Sequence, residues 1–81
     1  MDGMKMLRLK ATFGDSASQF LLGGIYYNLF ANGPVVAKNY HEAMKWFRKA
    51  AENGISEAQY YLGYGYFKGY GVEQNRFEGV K

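Results

Sequence analysis

The feature that most constrains this chain is that its sequence repeats at a fixed spacing. A shift of 40 positions aligns identical residues along the chain, among them Met4/Met44, Lys5/Lys45, Arg8/Arg48, Ala11/Ala51, Gly14/Gly54, Gln19/Gln59, Leu22/Leu62, Gly23/Gly63 and Tyr26/Tyr66. A shift of 36 positions aligns a second set that includes Gly33/Gly69, Val36/Val72, Asn39/Asn75 and Glu42/Glu78. Four extra residues in the loop around residues 28–32 explain the difference, so the unit is 36 residues long. A period of this length is typical of arrays of small stacked units.

Residues 42–63 predict what one unit contains, which is a helix, a glycine turn and a second helix. Apolar residues recur there at three- and four-residue spacing and so share one helical face: Ala43, Trp46, Phe47, Ala50 and Ala51. Asn53 and Gly54 predict the end of this helix, because glycine readily takes the left-handed conformation. Ser56 is expected to cap the next helix. Two helices so close in sequence must fold back antiparallel.

The repeat divides one domain, residues 1–81, into parts of successive units. The parts are, in order, residues 4–14 as the second helix of a partial repeat, residues 15–54 as a repeat with a four-residue loop insertion, and residues 55–81 as a second, truncated repeat. Asp15 or Ser16 is expected to cap a helix that runs to about Leu29. Asn39 is placed to cap the central helix, and residues 75–81 are predicted to begin one more.

Composition and charge exclude several classes of protein. Hydrophobic residues make up 48% of the chain and charged residues 21%, which is typical of a globular protein. The absence of cysteine excludes disulfides, thiolate metal sites and cysteine nucleophiles. The net charge of +3 is scattered along helical faces, so we expect no binding to nucleic acid. The sequence has no recognisable signal peptide or membrane-spanning run, so we expect no membrane association and a cytoplasmic location.

The repeated residues resemble the Sel-one-like repeat, a relative of the tetratricopeptide repeat. The pattern that carries the resemblance includes Gly-x-x-x-Ala-Gln-x-x-Leu-Gly-x-x-Tyr-x-x-Gly-x-Gly-Val, read from Gly54 onward. Its structural positions in this chain are Gly14, Leu22, Gly23, Tyr26, Ala43, Trp46, Phe47, Ala50, Ala51, Gly54, Ala58, Leu62, Gly63, Tyr66, Gly69 and Gly71. The departures are Met6 and Leu7 in place of the Trp-aromatic pair, Ser18 and Gly79 in place of Ala, and Val35 in place of Gly. The resemblance implies an all-α fold, a short right-handed α/α superhelix (solenoid) of antiparallel helix pairs with about two repeats.

No group of residues predicts a catalytic, cofactor or metal site. His41 is the single histidine and stands at the start of a helix beside Glu42, where a solvent-exposed role is expected. The carboxylates are scattered, and no two are expected to converge as a general acid and base. The serines stand at helix starts, where capping explains them. The cluster of Lys45, Arg48 and Lys49 complements the helix dipole, which favours a solvated face over a phosphate site.

Aromatic residues give the one indication of function, because eight Tyr, six Phe and one Trp make up 19% of the chain. On the predicted helix 56–68, the core positions leave Tyr60, Tyr64 and Phe67 on a second face. Phe20 and Tyr27 occupy the equivalent places one unit earlier. The first helix of each unit lines the concave surface in this class of repeat, so the resemblance implies a partner-binding groove formed by Phe20, Tyr27, Asn28, Tyr60, Tyr64, Phe67 and Lys68. The alternative is that these rings pack between repeats.

The resemblance implies a non-enzymatic adaptor, scaffold or regulatory module that binds another protein or a peptide on its concave helix face. A small immunity or anti-toxin protein is an alternative within the binding class. The enzymatic alternative is a relative of Cys-rich repeat proteins that bind β-lactams, although this chain lacks their cysteines. Short repeat arrays expose apolar ends, so a homo-oligomer formed by end stacking or segment exchange is a further expectation.

Overall fold

The computed structural model describes residues 3–30, 32–33 and 36–71, and these residues form four α-helices. The helices are α1 (Gly3–Thr12), α2 (Ser16–Tyr27), α3 (Tyr40–Glu52) and α4 (Ser56–Lys68), with no strand among the described residues. The all-α prediction is therefore confirmed. The helix predicted over residues 75–81, and the matches at Val72, Asn75 and Glu78, lie outside the described residues. In the described part of the chain, no helix is long and apolar enough to cross a membrane.

The sequence repeat is also a structural repeat at the ends of α1 and α3. Gly14 and Gly54 follow these helices with φ angles of 101° and 88°, in the left-handed region that glycine tolerates. The amide of Asp15 donates to the Lys10 carbonyl at 3.0 Å, and the amide of Ile55 donates to the Ala50 carbonyl at 3.0 Å. The same hydrogen bonds therefore close both helices, as expected for a glycine at a helix C-terminus.

Two of the three predicted helix caps are confirmed and one is wrong. Asp15 and Asn39 each accept a hydrogen bond from a backbone amide three residues later, at 3.1 Å in both helices. Ser56 is instead the first residue of α4, and the N-cap is Ile55, which makes no side-chain capping bond. Ile55 packs against the core cluster of Ala43, Met44, Phe47, Ala50 and Ala58. The N-cap position of α4 is therefore held by an apolar contact and not by a capping hydrogen bond.

The core follows the consecutive order of the helices, with α1 on α2, α2 on α3 and α3 on α4. One cluster of buried residues joins α3 to its neighbours and consists of Ala43, Met44, Phe47, Ala50 and Ala58. A second cluster joins α1, α2 and α3 and consists of Ala11, Leu22 and Trp46. Tyr26 packs against both clusters. Because α2 and α3 have neighbours on two sides, they carry most of the fully buried residues.

Gly23 permits close packing of α2 against α3. The three atoms nearest to the Cβ position of Gly23 all belong to the ring of Phe47, so a side chain and not a helix backbone approaches this glycine. A Cβ atom placed on Gly23 would lie 2.7 Å from Cδ1 of that ring. Phe47 is fully buried. Its ring can occupy this position because Gly23 has no side chain.

Candidate protein-binding surface

Phe20 and Tyr27, two of the predicted binding residues, pack between helices. The Phe20 ring lies 5.7 Å from the Phe47 ring and 6.3 Å from the Tyr61 ring, measured between centroids. The Tyr27 ring lies 5.9 Å from Phe47 and 5.6 Å from Tyr61. Both rings are half-buried, so their predicted role in partner binding concerns only the part of each ring that stays exposed.

Three aromatic residues that the sequence analysis did not single out complete this packing. Tyr61 stacks on Phe47, with centroids 5.3 Å apart and planes 17° apart. Tyr40 and Tyr70 stack on each other at 4.2 Å and 9°, and both contact Tyr27. The helical spacing of Tyr61 from Ala58, a predicted core position, was a signal that this ring faces inward.

Burial among these rings raises the pKa of Tyr27 to about 12, and the neighbouring tyrosines add to the effect. An ionised phenolate is poorly solvated between aromatic rings, and further phenolates nearby would repel it. The Tyr27 phenol therefore stays neutral over the whole physiological pH range.

The counterparts of these rings on α4, Tyr60 and Phe67, are exposed, and together with Tyr64 they form what we call the α4 aromatic face. Their exposed fractions are 67%, 38% and 39% in that order. Tyr60 and Tyr64 are nearly parallel, with ring centroids 6.4 Å apart and planes 10° apart. Aromatic rings of this kind bury much apolar area on binding while losing little rotamer entropy.

Two polar residues were predicted to take part in binding, Lys68 at the end of α4 and Asn28 at the end of α2, and the structure brings Lys68 to the α4 aromatic face. The Lys68 ammonium lies 5.8 Å from the centroid of the Tyr64 ring, within the range of a cation–π contact. Asn28 ends α2 in the left-handed conformation, with φ 63° and ψ 40°, and its backbone amide donates to the Gly24 and Ile25 carbonyls. The Asn28 backbone is thus used to cap α2, while its side chain is exposed.

Two glutamines that match in the repeat connect successive helices in the same way. The Gln19 side chain donates from Nε2 to the Ala11 carbonyl at 3.0 Å, and Gln59 donates to the Ala51 carbonyl at 3.4 Å. Gln19 also accepts a 3.0 Å hydrogen bond from Nδ2 of Asn53, which ends α3. Gln19 is 4% exposed, whereas Gln59 is exposed. The repeat pattern aligns these glutamines but did not predict their hydrogen bonds.

An arginine–tyrosine pair also recurs between successive helices. The guanidinium of Arg8 on α1 donates to the Tyr26 hydroxyl on α2, and the guanidinium of Arg48 on α3 lies 5.3 Å from the Tyr66 ring centroid on α4. The first pair joins α1 to α2, and the second joins α3 to α4. Arg8 and Arg48 therefore both contribute to contacts between successive helices.

The groove along α3 holds the charged residues that the sequence assigned to a solvated face. It has a volume of about 350 Å³ and is lined by His41, Met44, Lys45, Arg48, Lys49 and Glu52. The Lys45 ammonium lies 3.8 Å from the Glu42 carboxylate and 5.1 Å from the Trp46 ring centroid. Nδ1 of His41 lies 3.3 Å from the Gly71 carbonyl oxygen. Lys45 and Arg48, two of the three cations in this cluster, therefore make intramolecular contacts.

The model of the Sel1 repeat family matches this chain twice, over residues 16–55 and 56–81. The chain belongs to the Sel1 repeat family. This confirms the resemblance deduced from the glycine, leucine and tyrosine positions. A solved Sel1-like repeat structure, a protective antigen of uropathogenic Escherichia coli described as displaying an SLR fold, superposes with a TM-score of 0.79 at 36% sequence identity. The match covers 99% of this chain and 16% of that chain, and it supports a helical repeat solenoid.

This chain is also similar to two curated proteins, of whose length it spans about a seventh and about a tenth. The DAP3-binding cell death enhancer 1 of Rattus norvegicus is 36% identical over 78 residues, covering 96% of this chain and 14% of the relative. The chitin synthase regulator SKT5 of Saccharomyces cerevisiae is 37% identical over 62 residues, covering 76% of this chain and 9% of the relative. One relative is named for a protein that it binds and the other for regulation, so this Sel1 repeat chain resembles binding and regulatory proteins.

Proposed function

We propose that this Sel1 repeat chain is a non-enzymatic interaction module that binds another protein through the α4 aromatic face. The single observation that carries the proposal is the contrast between α2 and α4. Phe20 and Tyr27 on α2 are covered by neighbouring helices, whereas Tyr60 and Phe67, their counterparts on α4, are exposed.

The chemistry of the face favours a partner that presents apolar side chains. Tyr60 and Tyr64 offer ring faces and edges together with hydroxyl groups, and Phe67 offers an uninterrupted apolar ring. Lys68 places a positive charge at one margin, next to the Tyr64 ring. A helix or an extended peptide with one apolar side fits such a surface, because desolvation of the rings drives binding while the polar margin sets orientation.

The family and its relatives support a regulatory role for this binding. The curated relatives carry names of binding and regulation and not of catalysis. We therefore propose that the chain acts by holding a partner, as an adaptor, scaffold or regulatory module, and that it catalyses no reaction.

The test is affinity capture from the source lysate with a triple variant, Tyr60→Ala, Tyr64→Ala and Phe67→Ala. Leu21→Ala is the matched control, because Leu21 is an apolar residue of α2 with 43% exposure, outside the α4 aromatic face. Circular dichroism first establishes that both variants fold. The wild type and the control are expected to retain the same partner, and the triple variant to lose it. Equal capture by the folded triple variant would overturn the proposal.

A further inference from the structure

We propose that α1 and α3 form a second binding surface, which takes an acidic segment of a partner protein. We call it the basic surface, and its repeated cations are Lys5, Arg8, Lys45 and Arg48. It goes beyond the proposed function, because it lies on other helices and recognises charge instead of apolar side chains. Either surface can therefore fail its test without the other.

The observation that carries this inference is a groove that recurs at matched positions. The groove on α1 has a volume of about 210 Å³ and is lined by Lys5, Arg8, Leu9 and Thr12. A shift of 40 positions places these residues on Lys45, Arg48, Lys49 and Glu52, and all four line the groove of about 350 Å³ on α3. Successive units thus present the same groove, with a lysine and an arginine at the same places in each.

Neighbouring helices leave both grooves open. The groove on α3 is open although α2 and α4 pack against this helix and α1 precedes it. The groove on α1 is open although α3 follows it, and the two helices share the buried cluster of Ala11, Leu22 and Trp46. One groove is therefore open with the preceding helix of its kind in place, and the other with the following one.

The distribution of charge favours an acidic occupant. The helices α1 and α3 together hold six cationic side chains and two carboxylates, whereas α2 holds no charged residue and α4 holds one of each sign. All six cations are exposed. The positive charge of the four helices is thus concentrated on the pair that carries the grooves, and complementary charge steers association and selects the partner.

Both arginines of the basic surface are held by a tyrosine of the next helix. The Arg8 guanidinium donates to the Tyr26 hydroxyl, and the Arg48 guanidinium lies 5.3 Å from the Tyr66 ring centroid. A guanidinium carries several N–H donors in one plane, so one hydrogen bond or a contact through its face leaves donors for a carboxylate. Because these contacts already position the side chains, binding costs less entropy.

The lysines are available to a partner as well. The Lys45 ammonium lies 3.8 Å from the Glu42 carboxylate, but the Lys45 side chain is 50% exposed. An exposed ion pair within one helix is weak, so a carboxylate of a partner can replace Glu42. The cations are spread over two helices, which suits several carboxylates along a peptide better than a single phosphate group.

The experiment measures fluorescence anisotropy of a labelled peptide in which Glu alternates with Ser. A length of about ten residues, at about 3.4 Å per extended residue, is enough to cross two packed helices. The groove variant carries Lys5→Glu and Lys45→Glu. The control carries Lys38→Glu and Lys68→Glu, which give the same net charge at exposed positions outside both grooves.

We expect the groove variant to bind the peptide at least about tenfold more weakly than the wild type, and the control to stay within about threefold. An increase in salt from about 0.1 M to about 1 M shortens the Debye length from about 10 Å to about 3 Å and is expected to abolish binding. The triple variant of the α4 aromatic face is expected to bind the peptide as the wild type does. Circular dichroism first establishes folding, and the corresponding Lys→Gln pairs replace any variant that does not fold.

Several results would overturn the inference. They are no binding by the wild type at about 0.1 M salt, equal losses in the groove variant and the control, and equal affinity for a peptide with Gln in place of Glu. Loss of binding in the folded triple variant would assign the peptide to the α4 aromatic face instead. Tighter binding to a single-stranded DNA oligonucleotide or to vesicles containing phosphatidylserine would overturn the assignment of a protein as the occupant.

Discussion

Gly23 lies where the packing of α2 on α3 leaves no room for a side chain. A Cβ atom there would meet two Phe47 ring atoms at 2.7 and 2.9 Å, and the ring is fully buried. We predict that Gly23→Ala lowers the free energy of unfolding by about 1–3 kcal/mol, because overpacking outweighs the gain of about 1 kcal/mol in helix propensity. Urea denaturation measures the change. Gly3→Ala is the control, since no atom lies within 4 Å of its Cβ position, and an equal loss there would contradict the packing explanation.

Tyr27 is expected to make the fold less stable at alkaline pH. The ordinary tyrosine pKa of 10.0 applies in the unfolded chain, and burial among aromatic rings raises the pKa of Tyr27 to about 12 in the folded chain. The stabilising contribution is complete below pH 10 and declines as pH rises from 10 to 12, because the unfolded chain releases the proton first.

The measurement for Tyr27 is the urea midpoint at several pH values from 9 to 11.5, compared between wild type and Tyr27→Phe. We expect the midpoint of the wild type to fall more steeply above pH 10 than that of the variant, since phenylalanine has no proton to release. Parallel curves would show that Tyr27 does not titrate differently in the two states.

At the scale of the helix, α3 and α4 begin with different kinds of residue. Asn39 accepts a hydrogen bond from the Glu42 amide at 3.1 Å, whereas Ser56 follows the N-cap Ile55 and makes no capping bond. We predict that Asn39→Ala lowers the free energy of unfolding by roughly 0.5–2 kcal/mol, and that Ser56→Ala changes it by less than about 0.5 kcal/mol. Chemical denaturation distinguishes them. A larger effect at Ser56 would restore the cap that the sequence predicted.

The helices could be predicted from the sequence because their end signals are local. Gly14 and Gly54 close α1 and α3 through their own backbone conformation, and Asp15 and Asn39 cap α2 and α3 through amides three residues later. The start of α4 could not be predicted in this way, because Ile55 is held there by its contact with the core, and a tertiary contact leaves no mark on the neighbouring sequence.

The candidate site could be predicted only as a set of aromatic residues on helical faces. Which of these rings are packed and which are exposed depends on whether their helix has a neighbour. Phe20 and Tyr27 are covered by α3 and α4, whereas Tyr60 has no such cover among the described residues. Helical periodicity gives the same face to Phe20 and Tyr60, so it cannot separate a packed ring from an exposed one.

At the scale of the whole molecule, Gln19 of α2 links three helices, because its side chain donates to the Ala11 carbonyl of α1 and accepts from Asn53 at the end of α3. We predict that Gln19→Ala lowers the free energy of unfolding by about 1–3 kcal/mol, since it removes both hydrogen bonds of a side chain that is 4% exposed. Gln59→Ala, with one 3.4 Å bond in an exposed position, should lower it by less than about 0.5 kcal/mol. Thermal and urea unfolding provide both values, and equal losses would contradict the unequal roles of the two glutamines.

The consecutive order of the helix contacts has a consequence for how fast the chain folds. The main contacts join α1 to α2, α2 to α3 and α3 to α4, so each contact closes only a short loop. Short loops lose little entropy on closure, and a fold built from them crosses a low kinetic barrier. Folding is therefore expected to begin at the α1·α2 and α3·α4 pairs, whose connections 13–15 and 53–55 are the shortest. The α2·α3 pair, which buries Leu22 and Phe47, is joined by the longer connection 28–39 and is expected to form afterwards.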